Sequence, residues 1–214
     1  MKVLHKLGVL GNPTEHSLSP FIHSRFARYE NISLEYLPYK INEPDFNKFV
    51  KEFFSDKHAK GLNVTLPYKK KAAEINGDIS KEAKYINAVN TITNYKNKLS
   101  LASTDGIGFI DDINSKKFDL ENKKILIIGA GAASESVLYK VAKSKVNAIT
   151  ILNRTKEKSE KLQRKYSSIV PISLDANSDC EFDLIINGSS AGLTGKFLSL
   201  IHISEPTRQA EISY

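Results

Sequence analysis

With 214 residues, 41% hydrophobic and 26% charged, the chain has the composition of a globular protein of one large or two small domains. It contains no apolar run of about 18 residues, which excludes a transmembrane helix, and Met1-Lys2-Val3-Leu4-His5-Lys6-Leu7 is too short and too charged for a secretory signal. The net charge of +7 comes from scattered lysines, many paired at helical spacing as in Lys156/Glu160 and Glu157/Lys161, which argues against nucleic acid as a partner and suits an anionic substrate and cofactor.

Val3–Leu10 reads as a strand ending at the turn Gly11-Asn12-Pro13. Ser19-Pro20 then opens a helix, Ser19 as N-cap and Pro20 at the first helical position, with Phe21, Ile22, Arg25, Phe26 and Tyr29 as its stripe. A strand over Leu34–Ile41, a helix over Pro44–Phe54 and a strand over Gly61–Pro67 follow. Lys81–Ile86 is a short helix, and Thr91–Tyr95 with Lys98–Ala102 forms a hairpin. A helix from Gly106 to Asn114 leads into the polar stretch Ser115–Asn122, the expected domain boundary. Beyond it, Lys124–Ile128 is a continuous apolar run of the kind found in buried parallel strands. A helix (Ala132–Ser144), a strand (Ala148–Asn153), a helix (Lys156–Tyr166) and a strand (Phe182–Asn187) complete a βαβ alternation that implies a doubly wound sheet. Cys180 is the only cysteine, so no intrachain disulfide can form and a reducing, cytoplasmic location is expected.

Gly129-Ala130-Gly131-Ala132-Ala133 lies between that buried strand and the next helix. Glycines there let the backbone turn sharply and approach a pyrophosphate, while the helix N-terminus supplies N–H groups and a positive dipole end. A plain tight turn is the bland alternative. NAD enzymes carry an acid roughly 20 residues past the glycines to bind the ribose hydroxyl. Here Asn153-Arg154-Thr155 occupies that place, and a guanidinium suits the 2′-phosphate of NADP.

Four further motifs precede the boundary: Gly11-Asn12-Pro13 with His16-Ser17-Leu18-Ser19-Pro20; Asn63-Val64-Thr65-Leu66-Pro67-Tyr68-Lys69; Asn87-Ala88-Val89-Asn90-Thr91; and Ser103-Thr104-Asp105-Gly106. Each puts hydroxyl, amide or charged groups at a strand end or helix start, as a polyhydroxylated acid would need. In this order, and followed by the glycine turn and Asn-Arg-Thr, they resemble shikimate dehydrogenases over nearly all of residues 1–196. The resemblance implies an α/β protein: a substrate-binding domain (1–105), a connecting helix and linker (106–122), and an incomplete Rossmann-like NADP-binding domain (123–197). It implies reduction of 3-dehydroshikimate to shikimate, in aromatic biosynthesis, with NADP as cofactor and no metal. By the same resemblance Ser17 and Ser19 hold the substrate carboxylate, and Asn63, Thr65, Asn90 and Asp105 bond the ring hydroxyls. Lys69 and Asp105 flank the reacting carbon as the catalytic pair, while Gly129, Ala130, Gly131, Ala132, Ala133, Asn153, Arg154 and Thr155 hold the cofactor. His16 and His23 are not required by this chemistry.

Two departures stand out. Ala132 occupies a position where the family commonly has a third glycine, and beyond Lys196 the resemblance stops. Leu198–Tyr214 looks instead like the translation of a sequencing-library adapter, so a non-native tail on a truncated, inactive dehydrogenase is expected. A quinate/shikimate dehydrogenase of relaxed specificity and a catalytically silent nucleotide-binding regulator are the alternatives, and assembly as a homodimer stays open.

Overall fold

The computed structural model describes residues 4–176 and 180–189; the expected tail at 198–214 lies outside the described residues. The chain divides between Thr104 and Asp105 into two units. In the first, β1 (Leu4–Gly11) pairs in parallel with both β2 (Ser33–Lys40) and β3 (Ala59–Val64). The hairpin β5 (Thr91–Tyr95) and β6 (Lys98–Ala102) continues the sheet antiparallel to β3. The two-residue strand β4 (Asp78–Ile79) closes it, giving the order β2-β1-β3-β5-β6-β4. The helices are α1 (Ser19–Tyr29), α2 (Phe46–Ser55), α3 (Lys69–Ala72) and α4 (Lys81–Ile86). The predicted helix at Pro44–Phe54 is in fact a 3₁₀ turn over Glu43–Asp45 followed by α2, which buries Phe46 and Val50. Phe46, Val50, Leu62, Tyr68, Val89 and Ile92 form the core here, each fully buried large side chain contributing roughly 1.5–3 kcal/mol.

The first helix departs from expectation. Ser19 is its first helical residue and Leu18 stands at the N-cap, with no side-chain capping bond to it. The predicted stripe faces solvent: Phe21, Ile22, Phe26 and Tyr29 are all exposed. The less exposed positions are Ser19, Pro20, His23 and Ala27; Ser19, His23 and Ala27 are spaced four apart on one face, with His23 stacked on the Tyr36 ring of β2. The helix thus turns a largely polar face to the sheet, because that face carries groups of the candidate site.

The second unit begins with α5 (Asp105–Ser115), whose Phe109 and Ile113 enter that unit's core together with Leu120. The stretch 115–122, expected as the seam, therefore lies within the second unit. Strands β7 (Lys124–Ile128), β8 (Ala148–Leu152), β9 (Ile172–Ser173) and β10 (Leu184–Asn187) form a parallel sheet in the order β10-β7-β8-β9. Helices α6 (Ala132–Val141) and α7 (Lys156–Tyr166) connect them, burying Leu138, Val141, Leu162 and Tyr166. Strand order reverses direction between β7 and β10, which is where doubly wound folds bind their ligands. Among the described residues no helix is long and apolar enough to cross a membrane, and no group of three His, Cys, Asp or Glu side chains could hold a metal ion.

Candidate active site

In the first unit two of the predicted substrate residues, Asn63 and Asn90, share one chain of hydrogen bonds. Tyr36, buried in β2, donates its hydroxyl to Asn63 Oδ1 at 2.8 Å. Burial pushes this phenol up to about 12, partly offset by a hydrogen bond with Ser19, so Tyr36 remains a neutral donor. With its oxygen engaged, Asn63 turns its amide nitrogen to Thr91 Oγ1, 3.5 Å away. Thr91 Oγ1 in turn donates to Asn90 Oδ1 at 2.9 Å, and the same oxygen accepts the Thr104 N–H at 2.9 Å and its hydroxyl at 3.1 Å. Asn90 Oδ1 is thereby saturated and its carboxamide held in one orientation. The sequence motifs contained Asn63, Asn90 and Thr104, but nothing in the strand pattern of Leu34–Ile41 singled out Tyr36.

The loop into α1 is held from outside. Glu15 Oε2 accepts the Thr14 N–H at 2.9 Å, and Oε1 pairs with Lys40 at the end of β2. The Lys40 hydrogen bond, aided by backbone N–H groups, brings the Glu15 carboxyl down to about 2. Ser17 Oγ accepts the Ser19 N–H at 3.2 Å, which leaves its own O–H proton to donate elsewhere. Thr65 donates its N–H to the Leu10 carbonyl at the end of β1 and accepts that of Tyr68, both at 2.9 Å.

Lys69 opens α3 directly after Tyr68, whose buried ring packs on Phe46 and whose hydroxyl donates to the Ile41 carbonyl at 2.7 Å. The Lys69 carbonyl accepts the Val89 N–H at 2.8 Å, fixing its backbone beside the Asn87–Thr91 segment. Of three consecutive lysines, Lys71 is drawn to Glu43 and Lys70 is exposed, whereas Lys69 is half-buried. Asp105, also half-buried, is the first residue of α5. The neighbouring Gly106 N–H donates to Ser136 Oγ of α6 at 2.9 Å.

In the second unit the turn after β7 has the properties that a dinucleotide requires. Gly129 has φ +108, a conformation that side chains rarely adopt, and a Cβ there would meet the Gly188 backbone at 3.0 Å. A Cβ on Gly131 would instead meet nothing within 4 Å, so the second glycine leaves open space in front of α6. No side chain caps α6, whose N-terminal N–H groups have no intrahelical partners. Glu135 in its first turn is neutralised by Lys165 at 2.6 Å. An anionic pyrophosphate fits this cradle on both shape and charge. Ala130, Ala132 and Ala133 are half-buried along it.

Asn153 spans the turn: its Oδ1 accepts the Ala130 N–H at 3.1 Å and its Nδ2 donates to the Thr155 carbonyl at 2.7 Å. Thr155 stands at the N-cap of α7, and Arg154 beside it is exposed, its guanidinium making no hydrogen bond or ion pair among the described residues. Two residues outside the predicted set also shape the turn. Ser134 Oγ donates to the Gly188 carbonyl at 3.1 Å, and the Gly188 N–H donates to the Ile128 carbonyl at 2.8 Å, so the loop after β10 lies against the glycine turn.

The family model for the shikimate dehydrogenase substrate binding domain matches residues 9–92, and that for shikimate / quinate 5-dehydrogenase matches residues 112–194. The chain is 38% identical over 198 residues to the shikimate dehydrogenase (NADP(+)) of Legionella pneumophila, covering 92% of this chain and 74% of the relative. Among solved structures, shikimate dehydrogenase from Aquifex aeolicus is similar with a TM-score of 0.81 at 33% identity, over 89% of this chain and 70% of that one. The Thermus thermophilus enzyme, solved in complex with NADP(H) and shikimate, gives 0.78 at 26% identity, over 87% and 69%. With both family models matched in order along one chain, and a relative of this similarity covered for most of its length, the chain belongs to the shikimate dehydrogenase family.

Proposed function

We propose that the chain carries the site residues of an enzyme that reduces 3-dehydroshikimate to shikimate with NADPH, the first unit supplying most of the substrate residues and the second the cofactor residues. The observation that carries this reading is the joined series Tyr36–Asn63–Thr91–Asn90–Thr104. A polyhydroxylated ring is discriminated by donors and acceptors whose orientation is set before it arrives, since any group left unpaired on binding costs affinity. Ser17 and Ser19 donate to the substrate carboxylate, while Asn63, Thr65, Asn90 and Asp105 meet the ring hydroxyls.

When bound, NADPH would supply the hydride that reduces the substrate carbonyl. Charge then develops on the carbonyl oxygen, and the Lys69 ammonium stabilises it and delivers a proton from Nζ, to be replaced from solvent. Asp105 is the second catalytic group, its carboxylate accepting a hydrogen bond from the substrate. On the cofactor side, the backbone of Gly129, Ala130, Gly131, Ala132 and Ala133 would hold the pyrophosphate. Arg154, flanked by Asn153 and Thr155, would meet the 2′-phosphate with its fork of donors.

The test is NADPH consumption with 3-dehydroshikimate, run beside NAD-linked and quinate oxidation. Shikimate formation preferring NADPH would bear out this reading and overturn the inactivity expected of the truncated chain. Faster turnover of quinate would favour the relaxed-specificity alternative; no turnover would fit the inactivity expected of the truncated chain if shikimate still binds, and a regulator if only NADPH binds.

A further inference from the structure

His23 lies outside the expected chemistry, yet it sits half-buried on the face of α1 that carries the buried Ala27. Its imidazole lies parallel to the Tyr36 ring, with centroids 4.2 Å apart and planes 10° apart, and Phe26 meets its edge at 5.9 Å. It makes no hydrogen bond or ion pair among the described residues, so its contribution to the neighbourhood is a ring face. Burial holds the imidazole below its ordinary range, which keeps it neutral for this packing. The ring it covers belongs to the phenol that engages Asn63 and Ser19, two groups on separate elements proposed to bind the substrate.

A phenol can hold an acceptor in place only if its own ring cannot swing. Tyr36 sits in β2, the edge strand of its sheet in the order β2-β1-β3, so one flank of the strand has no hydrogen-bonded strand among the described residues. Stacked aromatic rings attract one another beyond what burial alone supplies, enough to restrict a ring rotamer. We infer that His23 is a positioning residue: its stacked imidazole fixes the Tyr36 ring, and through the Tyr36 hydroxyl the orientation of the Asn63 carboxamide toward the substrate. This rests on the proposed dehydrogenase reading for the meaning of Asn63, but the chain of contacts from His23 to Asn63 can be measured without turnover.

The experiment therefore has two readouts on the full chain. In the first, the Asn63 side-chain NH₂ signals, assigned by their loss in Asn63→Asp, are followed by ¹H–¹⁵N NMR in wild type, His23→Ala, His23→Phe and Tyr36→Phe. The inference expects His23→Ala to move these signals toward their Tyr36→Phe position, and His23→Phe, which restores a stacking ring, to return them to wild type. In the second, steady-state kinetics should show His23→Ala raising KM for shikimate about five- to tenfold with the NADP KM unchanged. The double variant with Tyr36→Phe should lose no more than Tyr36→Phe alone, as expected for two residues acting through one contact. Unmoved Asn63 signals in folded His23→Ala, equal shifts in His23→Ala and His23→Phe, or additive kinetic losses would each overturn it. A wild-type chain that bound no shikimate would count against the dehydrogenase reading alone, and the NMR comparison would still decide the role of His23, also in a chain that does not turn over.

Discussion

Replacing Arg154 by Ala probes cofactor choice at one exposed side chain that holds up no neighbour. Arg154 follows the end of β8 and precedes the N-cap of α7, with no hydrogen bond or ion pair among the described residues. Its loss should therefore leave the fold untouched, and the effect should appear only with a ligand carrying a 2′-phosphate. A hydrogen bond to a charged group is worth about 1.5–3 kcal/mol. At roughly 1.4 kcal/mol per tenfold, this is about ten- to 150-fold in NADPH affinity. Exposure and a screening length of about 10 Å at moderate salt favour the lower half of that range. Lys156 and Lys158, exposed on the first turn of α7, retain part of the attraction in the variant. The expected outcome is an NADPH KM raised about tenfold, an NADH KM changed less than twofold, and a discrimination that shrinks as salt is added. The assay is steady-state kinetics with both cofactors at two ionic strengths. Equal losses for NADPH and NADH would refute the assignment of Arg154 to the 2′-phosphate.

Lys69→Ala is expected to lower kcat by on the order of 10² or more with a much smaller change in KM, whereas a raised KM at normal kcat would mean that only uniform binding was lost. The two glycines of the turn should separate in their effects. Gly129→Ala places a side chain at φ +108 against Gly188 and should destabilise by roughly 1–2 kcal/mol, read as a lower Tm. Gly131→Ala has room for its methyl, so its Tm should hold while NADPH binding by calorimetry weakens; unaltered NADPH binding would show that the space at Gly131 is not cofactor space. Finally, Glu15 is held at about 2 against an ordinary 4.5, so its contribution to stability is fully present above pH 4.5 and is lost as pH falls through about 2. Glu15→Gln should flatten that part of the Tm–pH curve, and added salt should shrink the difference because the pair is exposed.

The strand–turn–helix at 124–141 was legible in the sequence because every signal in it is local: a continuous apolar run, two glycines and a helical repeat all fall within one short stretch. The parallel sheet around it followed from alternation alone. The motifs bearing Asn63, Lys69, Asn90 and Asp105 could also be found, as clusters of polar groups at element ends. Other features had no local signal. Two-residue strands such as β4 and β9 have no period to detect. Neither the sequence spacing of Tyr36 and Asn63, 27 residues apart, nor that of Asn90 and Thr104, 14 apart, signals that they are bonded partners. The face of α1 was misjudged for the same reason. Its exposed Phe21, Ile22, Phe26 and Tyr29 carry the apolar signal, while Ser19 and His23 turn inward to meet a tyrosine that a different strand supplies. Periodicity determines that such a segment is a helix; which side it buries depends on the surface it meets, and that surface exists only once β1, β2 and β3 have paired.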